Sequence, residues 1–94
     1  MNEIIKNINN KKINIGIIGL GYVGLPLAIR FSEERFQVVG FDIDEKKVSI
    51  LNTGNSYIKH ITREKVSTMI DANFIATNDF KKISDIDVIL ICVP

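Results

Sequence analysis

One cysteine, two prolines, no tryptophan and almost no net charge put several classes of protein out of reach at once. A lone Cys, at position 92, cannot build an internal disulfide framework and suits a reducing compartment. Lys and Arg number 12 against 11 Asp and Glu, a formal net charge of +1 over 94 residues. That balance gives no basic surface for tracking phosphates and argues against nucleic acid as a partner. The longest unbroken apolar run, Val88 to Val93, falls far short of the ~20 residues that cross a bilayer, so no membrane partner is expected. Ile4, Ile5 and Ile8 lie scattered among Asn and Lys, without the continuous apolar stretch of a secretory signal. A cytoplasmic location is the expectation that remains.

What is present is the composition of one folded domain, 46% hydrophobic and 24% charged. Residues 1–12 read as a tail, with a short helix as the alternative, and order is expected from 13 to 94. Ile13 to Ile18 is rich in β-branched residues and runs into Gly19, a strand followed by a turn. Val23, Leu27, Ala28 and Phe31 then recur at helical spacing between Tyr22 and about Glu34. Gln37 to Phe41 reads as a second strand ending at Asp42. Asp44 caps a helix that Gly54 stops, and Thr62 caps another through Val66, Met69 and Ile70. Phe74 to Thr77 is a short strand, Asp79 to Ser84 a helical turn, and Asp87 to Val93 a strand apolar on both faces, as inside a parallel sheet. This alternation predicts an α/β fold, part of a Rossmann-type doubly wound parallel sheet of about four strands in the order 3-2-1-4. The last strand would then flank the first and face outward. A full domain of this type has about six strands, so the chain reads as the N-terminal part of a longer protein.

Gly19-Leu20-Gly21-Tyr22-Val23-Gly24 fits G-x-G-x-x-G. Three conditions raise it above a common Gly-rich turn: it follows a strand, it opens a helix, and Asp42 ends the next strand about 20 residues on. Gly19 permits the tight turn, Gly21 lets the backbone approach a diphosphate, and Gly24 lets the helix pack closely on the sheet. The freed N–H groups and the positive end of the helix dipole would face the anion. Asp42 sits where a carboxylate accepts hydrogen bonds from a ribose and repels a 2′-phosphate, which favours NAD over NADP; a turn or capping Asp is the bland alternative. Lys47 either lies beside the adenosine or is solvated. Pro26 falls in the first helical turn, where a missing N–H is tolerated. His60 has no metal-ligand companion in sequence and reads as a loop residue. Cys92 reads as a buried structural thiol, and Asp85 and Asp87 as solvated turn residues.

These residues carry a resemblance. Ile15 to Ala28, ending in Gly-Tyr-Val-Gly-Leu-Pro-Leu-Ala, resembles the opening of the UDP-glucose/GDP-mannose dehydrogenase family. Val39 to Asp44, Lys47-Val48, Leu51 to Gly54 and Ile91 to Pro94 agree with it in order. The Gly-Leu-Pro-Leu-Ala form and Ser56 to Ile61 resemble the branch of UDP-N-acetylglucosamine 6-dehydrogenases. The resemblance implies a full-length, homo-oligomeric enzyme that oxidises C6 of a UDP-N-acetylhexosamine to the acid with NAD, for surface polysaccharide or lipopolysaccharide synthesis. In that family a cysteine thiolate traps the aldehyde, and two NAD molecules are reduced in succession. Carried over, Gly21, Tyr22 and Val23 would cradle the diphosphate, Asp42 the ribose, and Lys47 the adenosine side. No counterpart of the family's catalytic residues is present, Cys92 included, so the chain alone is expected to be inactive. An NAD(P)-binding domain of a β-hydroxyacid or phosphogluconate-type dehydrogenase, and a non-enzymatic nucleotide-sensing module, are the competing readings.

Overall fold

In the computed structural model residues 12–93 are described; the tail expected at the N-terminus lies outside them except for Lys12, as does Pro94. Four strands, β1 (Asn14–Ile18), β2 (Gln37–Phe41), β3 (Ile75–Thr77) and β4 (Val88–Ile91), alternate with three helices, α1 (Gly24–Glu33), α2 (Glu45–Asn52) and α3 (Arg63–Asp71). A 3-10 helix, Phe80–Asp85, joins β3 to β4. The sheet is wholly parallel in the order β3-β2-β1-β4, the Rossmann-type arrangement expected from the sequence.

Local chemistry accounts for the boundaries. The side chain of Asp44 accepts from the Lys46 amide at 2.9 Å, and that of Thr62 from the Lys65 amide at 3.2 Å, so both expected N-caps satisfy an amide that the helix cannot. Gly54, at φ +80°, ends the turn after α2. The start of α1 differs from expectation: it begins at Gly24, and residues 21–23 form a turn. The apolar period of Val23, Leu27 and Phe31 does not mark this start, because the turn geometry of the glycine segment overrides it. Pro26 then stands third in the helix, within the first turn, where proline is tolerated.

Strand alternation divides the sheet into two unlike faces. Ile15, Ile17, Val38 and Ala76 point into a single core with Leu25 and Ala28 of α1, Leu51 of α2, and Val66 and Met69 of α3. Each large side chain fully buried there contributes roughly 1.5–3 kcal/mol. The opposite face carries Gly16 and Phe41 and is covered in part by Phe80, whose ring lies 5.6 Å from that of Phe41, and by Ile86. The rest of it is bare: Ile75, Ile89 and Ile91 are exposed, Ile91 by 70%. β4 thus flanks β1 and faces outward, as the 3-2-1-4 order led one to expect. Among the described residues β4 pairs only with β1 and occupies the sheet edge. No helix among them is long and apolar enough to cross a membrane.

Candidate nucleotide site

The segment from Gly19 to Val23 turns from the end of β1 into α1, and its parts are fixed by close packing. Gly19 adopts φ +96° and donates its amide to the Phe41 carbonyl at 2.8 Å, which ties the turn to the end of β2. Gly24 lies directly against it: a Cβ there would stand 1.7 Å from the Gly19 carbonyl oxygen. Leu20 is fully buried between these glycines and covers Gly40 of β2. Gly21 differs from its neighbours, because a Cβ there would meet nothing within 4 Å. Tyr22 and Val23 are exposed. No side chain caps α1, so the positive end of its dipole opens on solvent.

Asp42, half-buried at the end of β2, joins this turn to the next. One carboxylate oxygen accepts from the Leu20 amide and the other from the Asp44 amide, each at 2.9 Å. Asp42 thus does hold a turn, the bland role allowed by the sequence, and in doing so it is locked beside the glycine segment. A carboxylate has about four lone-pair sites, so two such bonds leave acceptor capacity for a ligand. An open crevice of about 860 Å³ runs across these ends of β1, β2 and β4. Gly19, Gly21, Tyr22, Val23, Asp42 and Lys47 all line it, and Phe80 and Ile91 give it an apolar floor.

Two residues of the loop between α2 and α3, Tyr57 and His60, belong to this neighbourhood, and the sequence assigned neither of them to the nucleotide site. The Tyr57 hydroxyl donates a hydrogen bond to the Leu20 carbonyl, and the Lys47 ammonium lies 5.7 Å from the centre of the Tyr57 ring. Burial, and then the carboxylates of Asp42 and Asp44, push the Tyr57 phenol above its ordinary pKa. The ring of His60 stacks on that of Tyr22, 6.4 Å between centres and 19° between planes. The one available signal was Tyr57 itself, since a part-buried tyrosine needs a partner for its hydroxyl. Nothing local names a carbonyl 37 residues away.

The remaining candidates lie elsewhere or serve the fold. Asp87 accepts from the Asn14 amide at 2.8 Å and the Asp85 carbonyl from the Asn14 side chain at 3.1 Å. Both pin the start of β1, at the end of the sheet opposite the crevice. Cys92 is only half-buried and lines the crevice, where its amide donates to Ile18 at 2.7 Å; the edge position of β4 leaves the thiol less covered than a central strand would. Cys92→Ser is therefore expected to lower stability by less than about 1 kcal/mol, since the hydroxyl reaches water. It should leave turnover of the full-length enzyme intact. Loss of turnover with fold and cofactor binding preserved would make Cys92 the nucleophile.

A parallel sheet with a glycine turn, an uncapped helix start and an adjoining strand-end carboxylate at one crevice is the geometry that holds a dinucleotide. Residues 13–94 match the UDP-glucose/GDP-mannose dehydrogenase family, NAD binding domain. The chain belongs to this family. It is a Rossmann-type NAD-binding domain, and NAD is its cofactor. The open position of Gly21 and the acceptor capacity of Asp42 suit that cofactor. The UDP-N-acetyl-D-glucosamine 6-dehydrogenase of Salmonella typhi is 40% identical over 83 residues, which cover 88% of this chain and 19% of that protein. A crystal structure of GDP-mannose dehydrogenase from Pseudomonas aeruginosa superposes with a TM-score of 0.74 at 34% identity, over 85% of this chain and 19% of that one. A UDP-glucose dehydrogenase from Pyrobaculum islandicum, at 24% identity and TM-score 0.80 over 86% of this chain and 19% of that one, shares the fold. The chain thus spans about a fifth of the length of these relatives.

Proposed function

We propose that this NAD-binding domain serves a nucleotide-sugar 6-dehydrogenase that oxidises a UDP-N-acetylhexosamine, UDP-N-acetylglucosamine first among them, to the uronic acid for surface polysaccharide synthesis. The observation that carries the reading is the single hydrogen bond from the Leu20 amide to Asp42. It brings an anion-binding turn and a ribose-binding carboxylate to one crevice. In this reading Gly19, Gly21, Tyr22, Val23 and Gly24 form the diphosphate cradle, Asp42 accepts from the adenosine ribose, and Lys47 lies on the adenosine side. Asp42 also repels a 2′-phosphate and so selects NAD over NADP. The bound cofactor would accept hydride from the sugar carbon.

The resemblance of Gly24 to Ala28 and of Ser56 to Ile61 to the UDP-N-acetylglucosamine branch supports the choice of sugar, as does the named activity of the Salmonella typhi relative. Oxidation further needs a nucleophile, a proton acceptor and a sugar pocket held against the nicotinamide. We assign these to residues beyond the 94, together with the contacts of a homo-oligomer, so the chain alone turns nothing over. The test is NADH production by the full-length enzyme with UDP-N-acetylglucosamine, UDP-N-acetylgalactosamine and UDP-glucose. The expected result is the highest kcat/KM with UDP-N-acetylglucosamine and none with the 94-residue chain. Preference for UDP-glucose would overturn the substrate, and NADH from the 94 residues alone would overturn the division of labour.

A further inference from the structure

Resting on the reading of the crevice as the NAD site, we propose that Tyr57 is the positioning residue of the diphosphate turn, holding the Leu20–Gly21 peptide in the one orientation that presents its N–H to the cofactor. The argument begins with the planarity of that peptide. In a trans peptide the carbonyl of one residue and the N–H of the next point in opposite directions. The Tyr57 hydroxyl donates to the Leu20 carbonyl, so the Gly21 N–H is aimed away from Tyr57. Tyr57 lines a cavity of about 370 Å³ on one flank of the turn and takes no part in lining the 860 Å³ crevice. Gly21 itself lines the crevice as well as that cavity, so an N–H turned from Tyr57 is free to serve the crevice.

This peptide needs such a hold. Leu20 stands between two glycines, and Gly21 in open space can adopt either sign of φ. The preceding peptide is pinned by the Leu20 amide on Asp42, while the hydrogen bond from Tyr57 pins the following one. A flipped Leu20–Gly21 peptide would turn a carbonyl oxygen toward the diphosphate, replacing a donor with a negative dipole end. The phenol is suited to the task because burial and the carboxylates of Asp42 and Asp44 keep it protonated, hence a donor. Its ring has a separate use. Lys47 lies over it at cation–π distance, which seats the ammonium at the same turn. The Tyr22–His60 stack fastens the next residue of the turn to the same loop.

The two uses separate in Tyr57→Phe, which keeps the ring and removes the hydroxyl, and Tyr57→Leu, which removes both. Dissociation constants for adenosine, ADP and NAD, measured by calorimetry or NMR titration on the protein and both variants, test this. Tyr57→Phe is expected to weaken ADP and NAD about three- to tenfold, the effect of one lost hydrogen bond, and to leave adenosine unchanged. Tyr57→Leu should weaken all three, because Lys47 loses its seat. ADP affinity within about twofold of the parent in Tyr57→Phe would overturn the proposal, as would equal weakening of adenosine and ADP, the mark of a purely structural tyrosine. A parent protein that binds none of the three would instead remove the crevice as the NAD site, and this inference with it.

Discussion

Gly24→Ala is expected to cost the chain a large share of its stability, whereas Gly21→Ala should leave the fold intact and impair NAD binding. The two glycines belong to one motif and differ in what surrounds them. A methyl group on Gly24 would lie 1.7 Å from the Gly19 carbonyl oxygen. That atom is backbone, held in a turn whose amide is bonded to β2, so relief requires α1 to move off the sheet. Overpacking typically costs about 1–3 kcal/mol and more where backbone must shift; Gly24→Ala belongs at or beyond the top of that range. Against the ~5–15 kcal/mol of an ordinary domain, the denaturation midpoint should fall sharply. A methyl on Gly21 meets no atom within 4 Å, and stability should stay within about 0.5 kcal/mol. It would project beside the crevice, where in the proposed reading the diphosphate approaches the backbone. NAD affinity should drop at least about tenfold, near 1.4 kcal/mol. Denaturation curves and calorimetric titration of both variants separate the effects. Undiminished NAD binding by Gly21→Ala would remove the diphosphate from this turn.

Asp42→Asn should weaken NAD by about 10- to 100-fold, the range expected when hydrogen bonds to a charged group are lost at ~1.5–3 kcal/mol. It should also narrow the preference for NAD over NADP. The near-isosteric amide retains one oxygen acceptor, so the contact with either the Leu20 or the Asp44 amide can persist. What disappears is the charge that a ribose hydroxyl would meet and a 2′-phosphate would be repelled by. Asp42→Ala frees both amides at once and should lower stability as well as affinity. Titrations with NAD and NADP, paired with melting curves, check the prediction. Tighter binding of NADP than NAD by the unaltered protein would end the assignment of Asp42 to the ribose.

The sequence alone was sufficient wherever structure depends on residues a few positions apart. The β-branched run Asn14–Ile18, the caps Asp44 and Thr62, and the stop at Gly54 each act through neighbours within about one helical turn or along one strand. Even the sheet order followed, because right-handed crossovers leave few ways to arrange parallel strands. The glycine spacing and Asp42 were legible for the same reason: the turn between β1 and α1, and the end of β2, are local positions in a repeating unit. Tertiary packing decided the rest. The apolar period suggested a helix from Tyr22, but the contact between Gly24 and the Gly19 carbonyl keeps residues 21–23 as a turn. The outward position of β4 followed from the strand order, but Cys92, expected as a buried thiol, is only half-buried, because burial depends on what lies across the sheet. Tyr57 and His60 meet the glycine turn only after the intervening α1, β2 and α2 have packed together. No local period or spacing encodes a contact whose partners are brought together by closure of the chain around a shared core.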